Sequence, residues 1–171
     1  MMRVRAMLLG WLSTIFLVTA AGADDRPDAP AAPTASRAGG DLFIAGGGVT
    51  VSEAVAGDLF VAGGTVDVDA AVAGDTVTMG GKLRLGAEIG QSLYAAGGQL
   101  NVASKVVRNA RVAGGQVEFG PKSEVGGNLS VAGGQVRLHG PVRGHVQAAG
   151  GRVLIDAAVG GDVLATSGQV E

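Results

Sequence analysis

The residues best suited to chemistry form a column of polar side chains that recurs along the chain at a nearly fixed interval. Oxygen ligands in series are typical of calcium sites, but the chain lacks the G-G-x-G-x-D nonapeptide of calcium-binding β-rolls. Asp and Asn at a repeated corner more often bond their own backbone there. We therefore predict no metal for the column, which consists of Asp41, Asp58, Asp75, Ser92, Asn109, Asn128, His145 and Asp162.

Other chemistries find little support in the sequence. The two histidines, His139 and His145, both fall at corner positions, and the absence of cysteine excludes disulfides and thiolate metal sites. No nucleophile–base pair or paired carboxylates stand out, so we predict neither an enzyme nor a cofactor. The formal net charge is −2 and aromatic residues do not alternate with basic ones, which argues against a nucleic-acid partner.

The elements that position these side chains are short repeats, each marked by two adjacent glycines. The pairs begin at residues 46, 63, 80, 97, 114, 133 and 150, so the interval is 17 except for one of 19. A period of this length is typical of a solenoid. We predict that the glycines form a corner, where they adopt positive φ or allow successive coils to stack closely. The predicted corner glycines are Gly63, Gly64, Gly80, Gly81, Gly97, Gly98, Gly114, Gly115, Gly133, Gly134, Gly150 and Gly151.

Apolar residues alternate with polar ones on both sides of each glycine pair. Leu59 and Val61 precede one pair, and Val66 and Val68 follow it. This alternation is typical of strands with one buried face. The pattern therefore predicts two short strands and a third, very short one in each unit. The fold class is all-β: a single-stranded parallel β-solenoid with about 17 residues per coil and seven to eight coils, roughly 36 Å long.

The third coil departs from this pattern. In "GDTVTMGG", Thr76 and Thr78 occupy the inward positions, whereas Val77 and Met79 point outward. Two interpretations remain open. Either the threonines are buried with their hydroxyls bonded to the backbone, or the strand slips by one residue, which inverts both faces.

The N-terminal residues differ from the repeats in composition. "MMRVR" followed by 13 apolar residues and "AGA" predicts a secretory signal peptide over 1–23, with an uncleaved anchor as the alternative. Pro, Ala and Asp without apolar periodicity predict a flexible tether over 24–39. The repeat domain is predicted over 40–171. A signal of this kind places the protein in the periplasm or cell envelope.

The repeats resemble those of the bactofilins, the polymer-forming bacterial cytoskeletal proteins. The resemblance rests on "AGDLFVAGGTVDVDAAVAGD" and "VGGNLSVAGGQVRLHGPVRGHVQAAGGRV" and extends from Gly40 to Glu171. It implies a right-handed β-helix that polymerises end to end without nucleotide, and it supplies no catalytic residues. Typical bactofilins are cytoplasmic, so the predicted signal indicates a secreted relative.

Three features of the surface predict association between copies. Phe43, Phe60, Val77 and Tyr94 form an apolar outer column, which the tether or a missing segment would alternatively cover. The stretch from Asp41 to Asp75 holds six acids and no base, whereas Lys82 to Arg152 holds nine bases and three acids. The terminal coil, with Val163 and Val170, is predicted to expose a strand edge.

The expected function is a non-enzymatic scaffold of the bacterial cell envelope that acts by self-association or polymerisation. The partners are other copies of the chain and envelope components. The alternative is a binding module that presents a flat β-ladder to a glycan, a membrane protein or ice. Ice binding needs paired threonine columns, whereas the corresponding ladder here contains Thr65, Lys82, Gln99, Gln116, Gln135 and Arg152.

Overall fold

The structure, a computed structural model, describes residues 32–170 as a parallel β-solenoid of about seven turns. The predicted fold class is confirmed, with coils about 17 residues apart. The predicted signal peptide and residues 24–31 lie outside the described range. The strands are β1 Thr34–Ala38, β2 Asp41–Val51, β3 Leu59–Val68, β4 Thr76–Leu85, β5 Leu93–Val102, β6 Lys105–Val106, β7 Ala110–Phe119, β8 Glu124–Val125, β9 Leu129–Leu138, β10 Val146–Ile155 and β11 Val163–Val170.

Eight long strands stack in parallel, and each residue pairs with its counterpart in the next coil. Leu42 pairs with Leu59, and the register continues through Thr76 and Leu93. On the third side of each coil the pairing is shorter. It consists of single bridges such as Val55 with Val72, and of β6 with β8. The repeats therefore stack without a shift, so chemically equivalent residues form straight columns along the rod.

Each coil has one long bent strand where the sequence predicted two short ones. In β3 the buried residues are Leu59 and Val61 before the glycine pair, then Val66 and Val68 after it, so the alternation changes phase at the glycines. The ladder pairs Gly46 with Gly63 and then omits the next residue of each strand. Hydrogen bonding thus continues across the bend, and the predicted corner lies inside the strand.

The glycine pairs are required by close stacking and not by positive φ. Among the described residues only Gly39 has a positive φ, at 63°. A Cβ placed on Gly63 would lie 2.8 Å from the carbonyl oxygen of Gly46, and one on Gly98 would lie 2.8 Å from that of Gly81. These distances are shorter than a carbon–oxygen contact allows, so any side chain here collides with the backbone of the preceding coil.

The interior contains five apolar columns, most of whose members are fully buried. Leu59, Val66, Ile89 and Phe119 each have 0% relative exposure. The columns extend from Leu42 to Val153, interrupted only in the third coil by Thr76 and Thr78, and give the rod one core. Each apolar side chain in such a column packs against its counterparts above and below, so the narrow interior is densely packed.

The third coil keeps the common register, so the predicted alternative of a strand slip is wrong. Thr76 and Thr78 pair with Leu59 and Val61 and are both 0% exposed. Their Oγ1 atoms have no hydrogen-bond partner among the described residues, contrary to the expected bonds to backbone. Two hydroxyls therefore lie in an apolar interior without compensation.

We expect Thr76→Val and Thr78→Val to stabilise the protein. Each change replaces an unpartnered hydroxyl by a methyl group of the same shape, and a buried unsatisfied polar group costs about 1–3 kcal/mol. Urea titration should show each variant more stable by roughly 1 kcal/mol. Thr65→Val, at an exposed position, serves as the control and should change little. Loss of stability in both buried variants would mean that the hydroxyls have partners.

The segment before the first coil is a strand and not a tether over Thr34–Ala38. β1 pairs antiparallel with β2, with Ser36 opposite Phe43 and Ala38 opposite Asp41. Arg37 also donates a hydrogen bond from Nη2 to Glu53 Oε2 at 3.2 Å. β1 thus covers the hydrogen-bonding edge of the first coil over residues 41–45.

Candidate assembly surface

The polar column holds successive coils together. The N–H of Asp58 donates to Oδ1 of Asp41 at 2.9 Å, and the N–H of Asp75 donates to Oδ1 of Asp58 at 2.8 Å. The same bond recurs from Ser92 to Asp75, from Asn128 to Asn109 and from His145 to Asn128. The predicted backbone bonding is therefore real, but it joins neighbouring coils and not one turn. These carboxylates are acceptors in the scaffold.

Of the two histidines, His145 belongs to the polar column and His139 does not. The N–H of Asp162 donates to Nδ1 of His145 at 2.9 Å, so this imidazole takes the place of an Asn or Asp in the column. His139 Nδ1 lies 3.9 Å from a carboxylate oxygen of Asp156. Among residues 32–170 no group of three or more His, Cys, Asp and Glu is placed to hold a metal ion.

Several of the opposite charges along the rod form pairs between adjacent coils. Arg84 lies 3.6 Å from Asp67, and Arg143 lies 2.6 Å from Glu124. Such exposed pairs contribute little to stability, typically about 0–1 kcal/mol each. A longer-range order of charge remains, because residues 41–75 hold only acids and residues 82–152 mainly bases, whereas the last coil again holds only acids.

The four predicted outer residues form a ridge on one flat face of the rod, which we call the stripe face. The rings of Phe43 and Phe60 stack with centroids 4.8 Å apart and planes 4° from parallel. Phe43 and Tyr94 are 41% and 38% exposed, whereas Phe60 and Val77 are partly buried. β1 pairs with the edge of β2, so over Thr34–Ala38 the predicted tether does not cover this ridge.

Beyond Tyr94 the same face becomes a shallow groove of about 350 Å³. Its floor consists of the buried residues Ala95, Val112 and Val131, and one side consists of alanines. The other side is the continuation of the ridge column, where Arg111, Ser130 and Gln147 replace the aromatic residues. The guanidinium of Arg111 lies 5.8 Å from the ring centroid of Tyr94 and marks the boundary between ridge and groove. The alanines that line the groove are Ala95, Ala113, Ala132 and Ala149.

The last described strand is more open than the others. Val163 belongs to the first core column but is 48% exposed, and Leu164, in the ridge column, is 61% exposed. Val170, also predicted as an assembly residue, lies at the end of β11. Within the described residues no strand pairs with the outer edge of β11.

The face after the glycine bend, which we call the amide face, is polar. Its outward positions in the middle coils hold Lys82, Arg84, Gln99, Asn101 and Gln116, all of them exposed. Glu118 and Arg137 complete the lining of a groove of about 280 Å³. The stripe face and the amide face therefore differ sharply in chemistry although they belong to the same strands.

Sequence reasoning found the ridge but missed the groove and the bonds between coils. Two residues after the ridge positions the sequence shows a column of alanines that only Met79 interrupts: Ala45, Ala62, Ala96, Ala113, Ala132 and Ala149. A column of small residues beside a column of large ones is the signal that predicts a groove. The polar column was found, but its partners depend on the stacking of coils.

Comparisons with known proteins do not place the chain in a family. No family model, no curated protein and no solved structure matches it. None of the elements formed by residues 32–170 is a helix long and apolar enough to span a membrane.

Proposed function

We propose that this protein is a bactofilin-like, non-enzymatic scaffold of the bacterial cell envelope that works by lateral self-association. The observation that carries the proposal is the presence of an apolar ridge and an apolar groove on one flat face of a rod. A contiguous exposed apolar patch is typical of a contact surface between proteins. The carboxylates of Asp41, Asp58 and Asp75 accept hydrogen bonds from the next coil, so they have a structural role.

The ridge and the groove fit each other when two rods lie antiparallel. The ridge occupies β2 to β5 and the groove occupies the later coils, so reversal of one rod places each ridge over the partner's groove. In this arrangement Phe60 of one copy faces Gln147 of the other, beside Ala149. A two-fold axis makes the contact self-complementary, which is the commonest symmetry of soluble dimers.

The order of charges along the rod also favours the antiparallel orientation. In an antiparallel pair the acidic second coil of one copy lies beside the seventh coil of the other, which carries Arg152, and only the first and last coils, both acidic, bring like charges together. In a parallel pair like charges lie side by side. Charge complementarity mainly fixes orientation and association rate, whereas buried apolar area supplies affinity. Association should therefore persist at about 0.15 M salt, where the screening length is about 8 Å.

The cellular setting of the proposal rests on the sequence. The basic, apolar and small-residue succession over 1–23 supports export, and the repeats support a relative of the bactofilins. An exported rod that associates with copies of itself has envelope components as its other partners. Association through the edge of β11, with Val163 and Val170, is the second way in which such rods would join.

Cysteine cross-linking tests the lateral arrangement. The chain has no cysteine of its own, so introduced thiols report only the designed contact. We expect a Phe60→Cys, Gln147→Cys double variant to form disulfide-linked dimers under mild oxidation. Within one chain the two positions are five coils, about 24 Å, apart and cannot form a disulfide with each other.

The single variants are the controls. In an antiparallel pair Phe60→Cys alone and Gln147→Cys alone stay monomeric on a non-reducing gel. Efficient cross-linking of Phe60→Cys alone would show that the rods associate in parallel and that the orientation proposed here is wrong. No dimer in any variant at high micromolar concentration would contradict lateral association itself.

A further inference from the structure

The amide face carries hydrogen-bonding groups that the protein itself does not use. Gln99, Asn101 and Gln116 are exposed, and within the described residues their side chains have no hydrogen-bond partner. Lys82 and Arg137 likewise form no ion pair there. Such groups are available to a ligand without breaking any internal contact.

From the third coil onward, most of the charged side chains on this face are positive. Lys82, Arg84, Arg137 and Arg152 point outward there, and among the described residues of these coils Glu118 is the one carboxylate on the face. Arg84 also forms an ion pair with Asp67 of the preceding coil, with Nη1 3.6 Å from Oδ1. An anionic ligand is therefore attracted to the face, although the chain as a whole is slightly acidic.

The spacing favours an extended chain that lies along the rod. Equivalent side chains repeat once per coil, about 4.8 Å apart, because the coils pair as parallel strands. This distance is close to the length of one pyranose unit in an extended polysaccharide. Gln99, Gln116 and Gln135 stand in one column and present an amide to each successive unit. Amides donate to and accept from sugar hydroxyls, whereas the cations bind carboxylates.

The face carries no aromatic ring among its outward residues in these coils, which narrows the class of ligand. Rings are the usual platforms for stacking, and single-stranded nucleic acids depend on them. A ligand held here must instead be recognised by charge and hydrogen bonds. We propose that the amide face binds a linear acidic glycan, such as a polyuronate, parallel to the solenoid axis. This inference does not depend on self-association, because the stripe face is not involved.

Binding to oligogalacturonate, measured by calorimetry at about 0.15 M salt, tests the proposal. We expect Lys82→Glu with Arg137→Glu to weaken binding by about tenfold or more, since contacts between charged groups are lost. The matched control is Arg108→Glu with Lys122→Glu, which changes the net charge equally at exposed positions elsewhere. Its binding should stay within about twofold of the parent.

Two further ligands and one further variant separate the outcomes. A neutral cello-oligosaccharide and a single-stranded oligothymidylate should bind much more weakly than oligogalacturonate. Gln99→Ala with Gln116→Ala should weaken glycan binding without changing the net charge. Equal losses in the test and control charge variants, tighter binding of the oligothymidylate, or no binding of oligogalacturonate would each overturn the proposal.

Discussion

Gly97→Val is expected to destabilise the solenoid by at least about 2 kcal/mol, because the new side chain has no space. A Cβ at this position meets the carbonyl oxygen of Gly80, in the coil below, and approaches Leu83 Cδ1 to 3.4 Å. The obstructing atom belongs to the backbone and cannot move without breaking the ladder between coils. A loss of this size is a large part of the stability of a domain, which is usually about 5–15 kcal/mol.

Gly48→Val is the matched control for this prediction. A Cβ on Gly48 meets nothing within 4 Å, and the equivalent residue of the next coil is Thr65, which carries a β-branched side chain. Its free energy of unfolding should change by less than about 0.5 kcal/mol. Urea titration of both variants measures the difference. Similar losses in the two variants would show that the glycine pairs are not required by stacking.

Much of the fold could be predicted because the same pattern of apolar residues and glycines recurs in every coil. The alternation around Leu59 and Val66 indicates strands in any one coil, and its recurrence every 17 residues indicates a solenoid. For Thr76 and Thr78 the sequence left burial and a strand slip open, and the structure shows burial because the neighbouring coils impose their register on the third. The repeats therefore indicated which strands are neighbours, which the sequence of a single strand does not show.

The missed features depend on distances between coils. The sequence left positive φ and close stacking of coils as two reasons for the glycine pairs, and only the structure shows that close stacking is the one that applies. The strand at Thr34–Ala38 has an unremarkable composition, and it pairs because β2 offers an open edge. The partner of an Asp41 carboxylate is likewise the next coil, which local turn chemistry does not reveal.

Of the candidate surface, the ridge was predictable and its counterpart was not. Large apolar residues at outward positions are visible in the sequence, as Phe43 and Tyr94 show. A groove lies where large side chains are absent, and an alanine in a strand gives no other signal of it. The groove appears only when Ala113, Ala132 and Ala149 are stacked beside Arg111. This is why the sequence predicted an assembly surface without predicting its geometry.

The second large effect is expected at the ridge. Replacing Phe43, Phe60 and Tyr94 together by serine removes three aromatic side chains from the proposed contact but leaves the core unchanged. Full burial of one such side chain contributes about 1.5–3 kcal/mol. The three changes should therefore weaken association by at least about a hundredfold, since each 1.4 kcal/mol is a factor of about ten. The thermal stability of the monomer should change little.

Sedimentation velocity of the parent and this triple variant, over a range of concentration at about 0.15 M salt, tests the central claim most directly. The control variant carries Gln99→Ser, Gln116→Ser and Arg137→Ser on the amide face. We predict that the parent and the control associate at micromolar concentration and that the triple ridge variant sediments as a monomer. A parent that remains monomeric, or a ridge variant that associates as strongly as the parent, would contradict self-association through the stripe face.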